Sequence, residues 1–143
     1  MPREHHPSHH KTGLARVLLV IVFVILCAGH YAFWDFGFYK GKPNPSLPAM
    51  PGLVIGAALA STVMIGAILM RKGLARTALI VFNWIMMFVF SIPGLIMMSD
   101  RSSLQMGALK MLVAGMVAYL LANIILIVSD PIHRLGASRG CRS

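Results

Sequence analysis

Four long apolar blocks, almost free of charged residues, limit what this chain can fold into more than any other feature of its sequence. They cover residues 14–34, 52–70, 74–98 and 107–128. A helix needs roughly 20 apolar residues to cross a hydrocarbon core about 30 Å thick. Because backbone amides in lipid must be paired internally, such segments form helices. The sequence therefore predicts an all-α, polytopic membrane protein with four transmembrane helices in a bundle.

Composition supports this interpretation and sets the domain organisation. Of the 143 residues, 57% are hydrophobic and only 12% are charged, about half the 25% of an ordinary soluble domain. The first partner is therefore the lipid bilayer. We expect a disordered His-rich tail at 1–13, a transmembrane domain at 14–129 and a basic tail at 130–143.

The positive residues are unevenly distributed among the connections. Nine of the 13 Lys and Arg residues would lie on one side of the membrane if all four blocks cross it: Arg3, Lys11, Arg16, Arg71, Lys72, Arg76, Arg134, Arg139 and Arg142. The positive-inside rule places that side in the cytoplasm. We therefore expect a bacterial inner-membrane protein with both termini cytoplasmic. This topology accounts for the net charge of +9, and we expect no nucleic-acid partner because no compact basic domain is present.

The first connection has two distinctive parts. Six aromatic residues at the end of the first block predict a belt at the membrane interface: Tyr31, Phe33, Trp34, Phe36, Phe38 and Tyr39. Residues 42–51 then contain four prolines in nine positions, which predicts an extended external loop rather than a helix.

A short motif recurs at an interval of 60 residues. Gly-Leu-Ala-Arg stands at 13–16 and again at 73–76. A true duplication predicts two similar helical hairpins related by an axis along the membrane normal. The alternative is convergence, in which each Arg is only an anchor that reaches the membrane interface.

Small and polar residues within the blocks are the candidate contact residues. Gly52, Gly56 and Ala60 recur at four-residue spacing, as do Ala114, Ala118 and Ala122. Such ridges let helices approach closely, inside one monomer in the first interpretation and between copies of a homo-oligomer in the second. Asn83 and Asn123 are the most polar residues away from the ends of the blocks. We expect them to hydrogen-bond across the third and fourth helices, with a substrate contact as the alternative. The selected helix-packing or partner-contact residues are Gly56, Ala60, Asn83, Ala118 and Asn123.

The sequence contains few candidates for a catalytic, metal-binding or cofactor-binding site. His5, His6, His9 and His10 have no Cys or carboxylate cluster to complete a metal site. His30 stands alone near the outer end of the first block, so no second axial ligand for a haem exists there. No carboxylate lies within a block, although ion-coupled pumps generally need one. We therefore expect no enzyme, no metal and no cofactor.

The run at 71–76, followed by Asn83-Trp84 and Pro93-Gly94-Leu95, resembles a group of small four-helix bacterial membrane proteins of unassigned role. In size and layout the chain is also similar to immunity proteins against pore-forming toxins. That resemblance implies a non-catalytic protein whose partner is a membrane-active toxin or another membrane protein. Two alternatives stay open. The repeat and the paired asparagines favour a small transporter or channel subunit, and a holin-like pore former is the weaker one.

Overall fold

Four long helices dominate the computed structural model, which describes residues 8–39, 42–43, 48–70, 72–99 and 105–132. The helices are α1 (Ser8–Gly37), α2 (Met50–Leu69), α3 (Gly73–Ser99) and α4 (Gln105–Val128). Each contains a segment long and apolar enough to cross a membrane: Gly13–Gly37, Met50–Leu69, Gly73–Pro93 and Leu109–Val128. This confirms the all-α fold with four transmembrane helices, and the chain is a multi-pass membrane protein.

One helix begins earlier than expected, and another passes through a proline within its expected bounds. α1 begins at Ser8, so residues 8–13 are helical although the sequence places them in a disordered tail. No proline interrupts the chain between Ser8 and the apolar block, and a nucleated helix propagates readily. α3 continues through Pro93 to Ser99, because a proline inside a transmembrane helix is tolerated more readily than in water. Residues 1–7 and 133–143, and with them most of both predicted tails, lie outside the described residues.

Backbone hydrogen bonds satisfy carbonyl groups at the C-terminal end of α2. The N–H of Met70 donates to the Gly66 carbonyl at 3.0 Å, and the N–H of Lys72 donates to the Ala67 carbonyl at 3.0 Å. Bonds of this kind occupy carbonyls that a helix C-terminus otherwise leaves free. At the other end of α2, Pro51 lies in the first turn, where its missing N–H costs nothing.

The helices run alternately up and down, with α1 between α2 and α4 and α3 on the opposite side of the bundle. Arg76 at the start of α3 bonds to carbonyls at the end of α4. Gly37 at the end of α1 approaches Met50 at the start of α2. Arg16, Lys72 and Arg76 consequently share one end of the bundle, which we call the basic end.

The buried residues follow rows with a spacing of three or four. In α1 and α4 the rows are strict: Ala15, Leu19, Val22, Leu26, Gly29, Phe33 and Phe36 in α1, and Leu112, Gly115, Tyr119, Ala122 and Leu126 in α4. Alternating steps of three and four are typical of helices that pack at a shallow angle in left-handed bundles. The core of the protein therefore lies along these seams.

The aromatic belt is only partly where the sequence predicts it. Tyr31 and Trp34 are exposed, and the Trp34 ring stacks on Phe38 with centroids 4.4 Å apart. Phe33 and Phe36 instead belong to the buried row of α1, because the helix extends to Gly37 and keeps its inward face over these residues. A short hairpin follows, in which two strands of two residues each, β1 (Phe38–Tyr39) and β2 (Lys42–Pro43), pair antiparallel.

Candidate functional site

A pair of asparagine side chains joins α3 and α4 inside the bundle. The Nδ2 of Asn83 donates a hydrogen bond of 2.9 Å to Oδ1 of Asn123, and the two residues are 0% and 1% exposed. The hydrogen bond expected from the sequence is therefore present. The second polar atom of each amide, Oδ1 of Asn83 and Nδ2 of Asn123, has no partner among the described residues. The pair thus holds two spans together but leaves two of its four polar atoms without a hydrogen bond.

A second polar contact joins α1 to α4, and the sequence analysis missed it. The hydroxyl of Tyr119 lies 2.7 Å from Nε2 of His30, and both side chains are buried. His30 was expected to stand alone near the outer end of the first span, but it connects α1 with α4. The expectation was wrong because α1 continues two turns beyond His30.

Aromatic rings fill the space around this contact. The rings of Phe33 and Phe90 are stacked with their centroids 4.0 Å apart. Tyr119 lies 5.6 Å from Phe33 and 6.4 Å from Phe90, in tilted and edge-on geometry. We call His30, Phe33, Phe90 and Tyr119 the aromatic core cluster. Ring pairs in such arrangements attract beyond their buried area, so the cluster fixes α1, α3 and α4 relative to one another.

Two glycines allow α1 and α4 to approach closely beside this cluster. A Cβ atom at Gly29 would lie 3.1 Å from the Cβ of Ala118, and one at Gly115 would lie 2.7 Å from two ring carbons of Phe33. Ala118, selected from the sequence as a contact residue, therefore lies where α1 and α4 meet. Small residues at such a crossing are what helix association in lipid requires.

The ridge of small residues on α2 has a different environment. Gly52 and Gly56 are exposed, and a Cβ at either position would meet nothing within 4 Å. Ala60 is half-buried. The face that α2 turns to the core is another one, and it includes Val54, Ala57 and Ser61. The expectation that the ridge packs inside the monomer is therefore wrong for Gly52 and Gly56.

Arg76 has a structural function that the repeat motif alone did not reveal. Its Nε donates to the Leu126 carbonyl at 2.8 Å, and a terminal guanidinium nitrogen donates to the Ile127 carbonyl at 3.1 Å. Both carbonyls belong to the last turn of α4, where a helix dipole favours a positive charge. This side chain therefore caps α4 and fixes it to the start of α3.

The side chains of these contacts offer little metal-binding or catalytic chemistry. In the part of the chain that the structure describes, no three His, Cys, Asp or Glu side chains come together in a way that could hold a metal ion. What these residues can do is bind one another across helices.

Comparison of the chain with protein families, with characterised proteins and with solved structures gave no match in any of the three.

Proposed function

We propose that this protein acts without catalysis, by binding a partner within the bilayer, and that it is an immunity protein that protects a bacterium from a pore-forming toxin. One observation supports the first part above all: Asn83 and Asn123 face each other at 2.9 Å in a closed contact. Polar residues that mark a conduction path in a membrane protein face a water-filled cavity. Here they are fully buried, so an interaction would use the outer surface of the bundle.

The aromatic core cluster supports the same proposal. Phe33, Phe90 and Tyr119 are fully buried and in mutual contact inside the bundle. Interiors packed to this extent have little room for a solute. A partner in the membrane would meet the lipid-facing side chains, among which Gly56 leaves the backbone of α2 open to close approach.

The specific form of the proposal rests on architecture. Immunity proteins against membrane-active toxins are small inner-membrane proteins of three or four helices, and this chain is similar to them in size and layout. Its location in the inner membrane, with both termini in the cytoplasm, belongs to the same proposal and is supported by the charge distribution.

The test measures membrane potential in cells challenged with a pore-forming toxin encoded beside this gene. Cells that express the wild-type protein should keep their potential, and cells without it should depolarise. A Gly56→Leu and Ala60→Leu double variant should protect less if the partner docks on that side of α2. Ala28→Leu, which makes the same exchange as Ala60→Leu at an exposed position of α1, is the control. Depolarisation despite normal levels of wild-type protein contradicts the proposal.

A transporter or channel subunit is the second candidate, and one observation favours it. Oδ1 of Asn83 and Nδ2 of Asn123 are buried without a partner among the described residues, and such atoms are able to bind a polar solute. Purified protein in liposomes tests this directly. Flux of ions or solute that either single Asn→Leu change abolishes, at unchanged protein level, would replace the immunity proposal.

A further inference from the structure

A groove runs along the outside of the bundle between α1 and α2. Its volume is about 640 Å³, and its lining includes Arg16 and Phe23 from α1 and Thr62, Gly66 and Leu69 from α2. A Cβ at Gly66 would meet nothing within 4 Å, so this glycine leaves the wall of the groove open. The volume lies within the range of about 300–1,000 Å³ that is usual for ligand sites.

The lining of the groove is apolar apart from one charged group. Thr62 directs its hydroxyl away from a ligand, since Oγ1 donates to the Ala58 carbonyl at 2.8 Å. Leu69, Phe23 and Gly66 offer no hydrogen-bonding side chain. Arg16 is exposed and is the one charged residue of the lining. A ligand that suits these walls has a long apolar part and a single anionic group.

Arg16 differs in its contacts from Arg76, the second Arg of the repeated motif. Arg76 donates to Leu126 and Ile127 at the end of α4. The corresponding carbonyls at the end of α2 are closed by the backbone N–H groups of Met70 and Lys72. Among the described residues, Arg16 has no hydrogen bond or ion pair. Lys72, three residues after Leu69, adds a second positive charge at the same basic end of the bundle.

The position of the groove in the bilayer indicates what lies in it. Arg16 is near the start of the Gly13–Gly37 span, and Leu69 ends the Met50–Leu69 span. From Arg16 to Phe23 the groove extends about 10 Å along α1, which is roughly two-thirds of one leaflet of a hydrocarbon core about 30 Å thick. A groove that begins at the membrane surface and stays within one leaflet has the dimensions of the upper part of a lipid chain.

We propose that this groove binds an anionic phospholipid, with one acyl chain between Phe23, Gly66 and Leu69 and the phosphate on Arg16. Basic pockets between transmembrane helices on the cytoplasmic side are known to bind anionic headgroups. A zwitterionic lipid such as phosphatidylcholine also carries a phosphate, but its choline cation would lie near the positive charges of Arg16 and Lys72, so a lipid with a net negative charge is favoured. The inference goes beyond the proposed function and does not depend on it, because it concerns a different surface from Gly56.

Native mass spectrometry of the full chain in detergent micelles tests the proposal. Phosphatidylglycerol and phosphatidylcholine with the same acyl chains are added in equal amounts. The wild-type protein should retain one phosphatidylglycerol with about a fivefold preference, the contribution expected of one basic residue. Arg16→Gln should lower the preference to what Lys72 alone supports, and Gly66→Leu should reduce the binding of both lipids by filling the groove.

Two matched variants serve as controls. Lys110→Gln removes an exposed charge from α4, and Gly56→Leu makes the same exchange as Gly66→Leu at an exposed position of α2 outside the groove. Both should bind lipid as the wild type does. An unchanged preference in Arg16→Gln, or unchanged lipid binding in Gly66→Leu, overturns the proposal.

A measurement on the wild-type protein keeps the proposal testable if the Gly66→Leu variant fails to fold. Phosphatidylglycerol with a photoreactive group in the middle of one acyl chain should cross-link to residues 19–23 and 62–66. Cross-links confined to other parts of the chain overturn the proposal. Capture of a second polypeptide at these residues in native membranes, in place of lipid, assigns the groove to a partner helix and overturns it as well.

Discussion

The ring of Phe33 lies so close to Gly115 that a Cβ atom there would stand 2.7 Å from two of its carbons. The ring cannot easily move away, because it is fully buried and stacked on Phe90 at 4.0 Å. Of the two glycines between α1 and α4, Gly115 therefore has less room for a side chain than Gly29. The contact with Phe33 makes the absence of a side chain at position 115 a requirement of the fold.

We predict that Gly115→Ala lowers the free energy of unfolding by about 1–3 kcal/mol, the usual cost of excess volume in a packed core. Gly56→Ala is the control, since its Cβ meets nothing within 4 Å. There the better helix propensity of Ala should leave stability unchanged or raise it by up to about 1 kcal/mol. Equilibrium unfolding in mixed micelles, followed by circular dichroism, measures both.

A double variant shows whether the loss at position 115 arises from the contact with Phe33. Phe33→Leu removes the ring carbons that the new Cβ would meet. The cost of Gly115→Ala should therefore be smaller in the Phe33→Leu background than in the wild type. Strictly additive costs would mean that Gly115 is required for another reason.

The sequence predicts those features of the fold that the lipid environment constrains, and it does not predict the others. The number of spans and their approximate bounds follow from hydropathy, because bilayer thickness sets the length of an apolar helix. The inward face of each span does not follow, because lipid is as apolar as the core and gives no contrast between faces. The ridge at Gly52 and Gly56 was therefore assigned to internal packing, whereas the core uses the neighbouring row with Val54 and Ala57.

The polar residues show the same division. Asn83 and Asn123 were predictable as a pair, since a polar group in lipid needs a partner and each was the most polar residue away from the ends of its span. The contact between His30 and Tyr119 was not found, because His30 was placed near a helix end that lies farther along the chain. The strict spacing of Leu112, Gly115 and Tyr119 in α4 is the pattern that could have indicated an inward-facing tyrosine.

Arg76 gives a prediction about the end of α4. Arg76→Gln removes the guanidinium from the carbonyls of Leu126 and Ile127 and should cost about 1 kcal/mol. The last turn of α4 should then open more often. Hydrogen exchange at the Ser129 amide, which donates to Ile125 at 3.1 Å, should become faster.

The control for this prediction is Arg16→Gln measured in detergent without added lipid. Arg16 makes no hydrogen bond among the described residues, so exchange at Ser129 should match the wild type. Equally faster exchange at Ser129 in both variants would mean that the exchange rate depends on the total positive charge at the basic end. The two hydrogen bonds of Arg76 would then not be its cause.

The charge distribution gives a prediction about orientation. Arg16, Lys72 and Arg76 lie at the same end of the bundle, and the positive-inside rule assigns that end to the cytoplasm. Alkaline phosphatase fused after Ser143 should be inactive, and the same enzyme fused near Asn44 should be active. A cytoplasmic reporter with the opposite requirement, such as β-galactosidase, serves as the control. The reverse pattern for both reporters contradicts the orientation.

The asparagine pair gives the prediction that best separates a structural contact from a functional one. Replacing only one residue, by Asn83→Leu or Asn123→Leu, leaves the other amide buried without any partner, which costs about 1–3 kcal/mol. Replacing both removes a bond worth about 0.6 kcal/mol on average in membranes together with two polar atoms that lack partners. The double variant should therefore be more stable than either single variant and close to the wild type.

Unfolding in mixed micelles measures the four proteins as a cycle, with Val81→Leu at an exposed position of α3 as the control. If the double variant instead loses as much as the two single variants together, the amides act independently, and the bond between them does not hold α3 to α4.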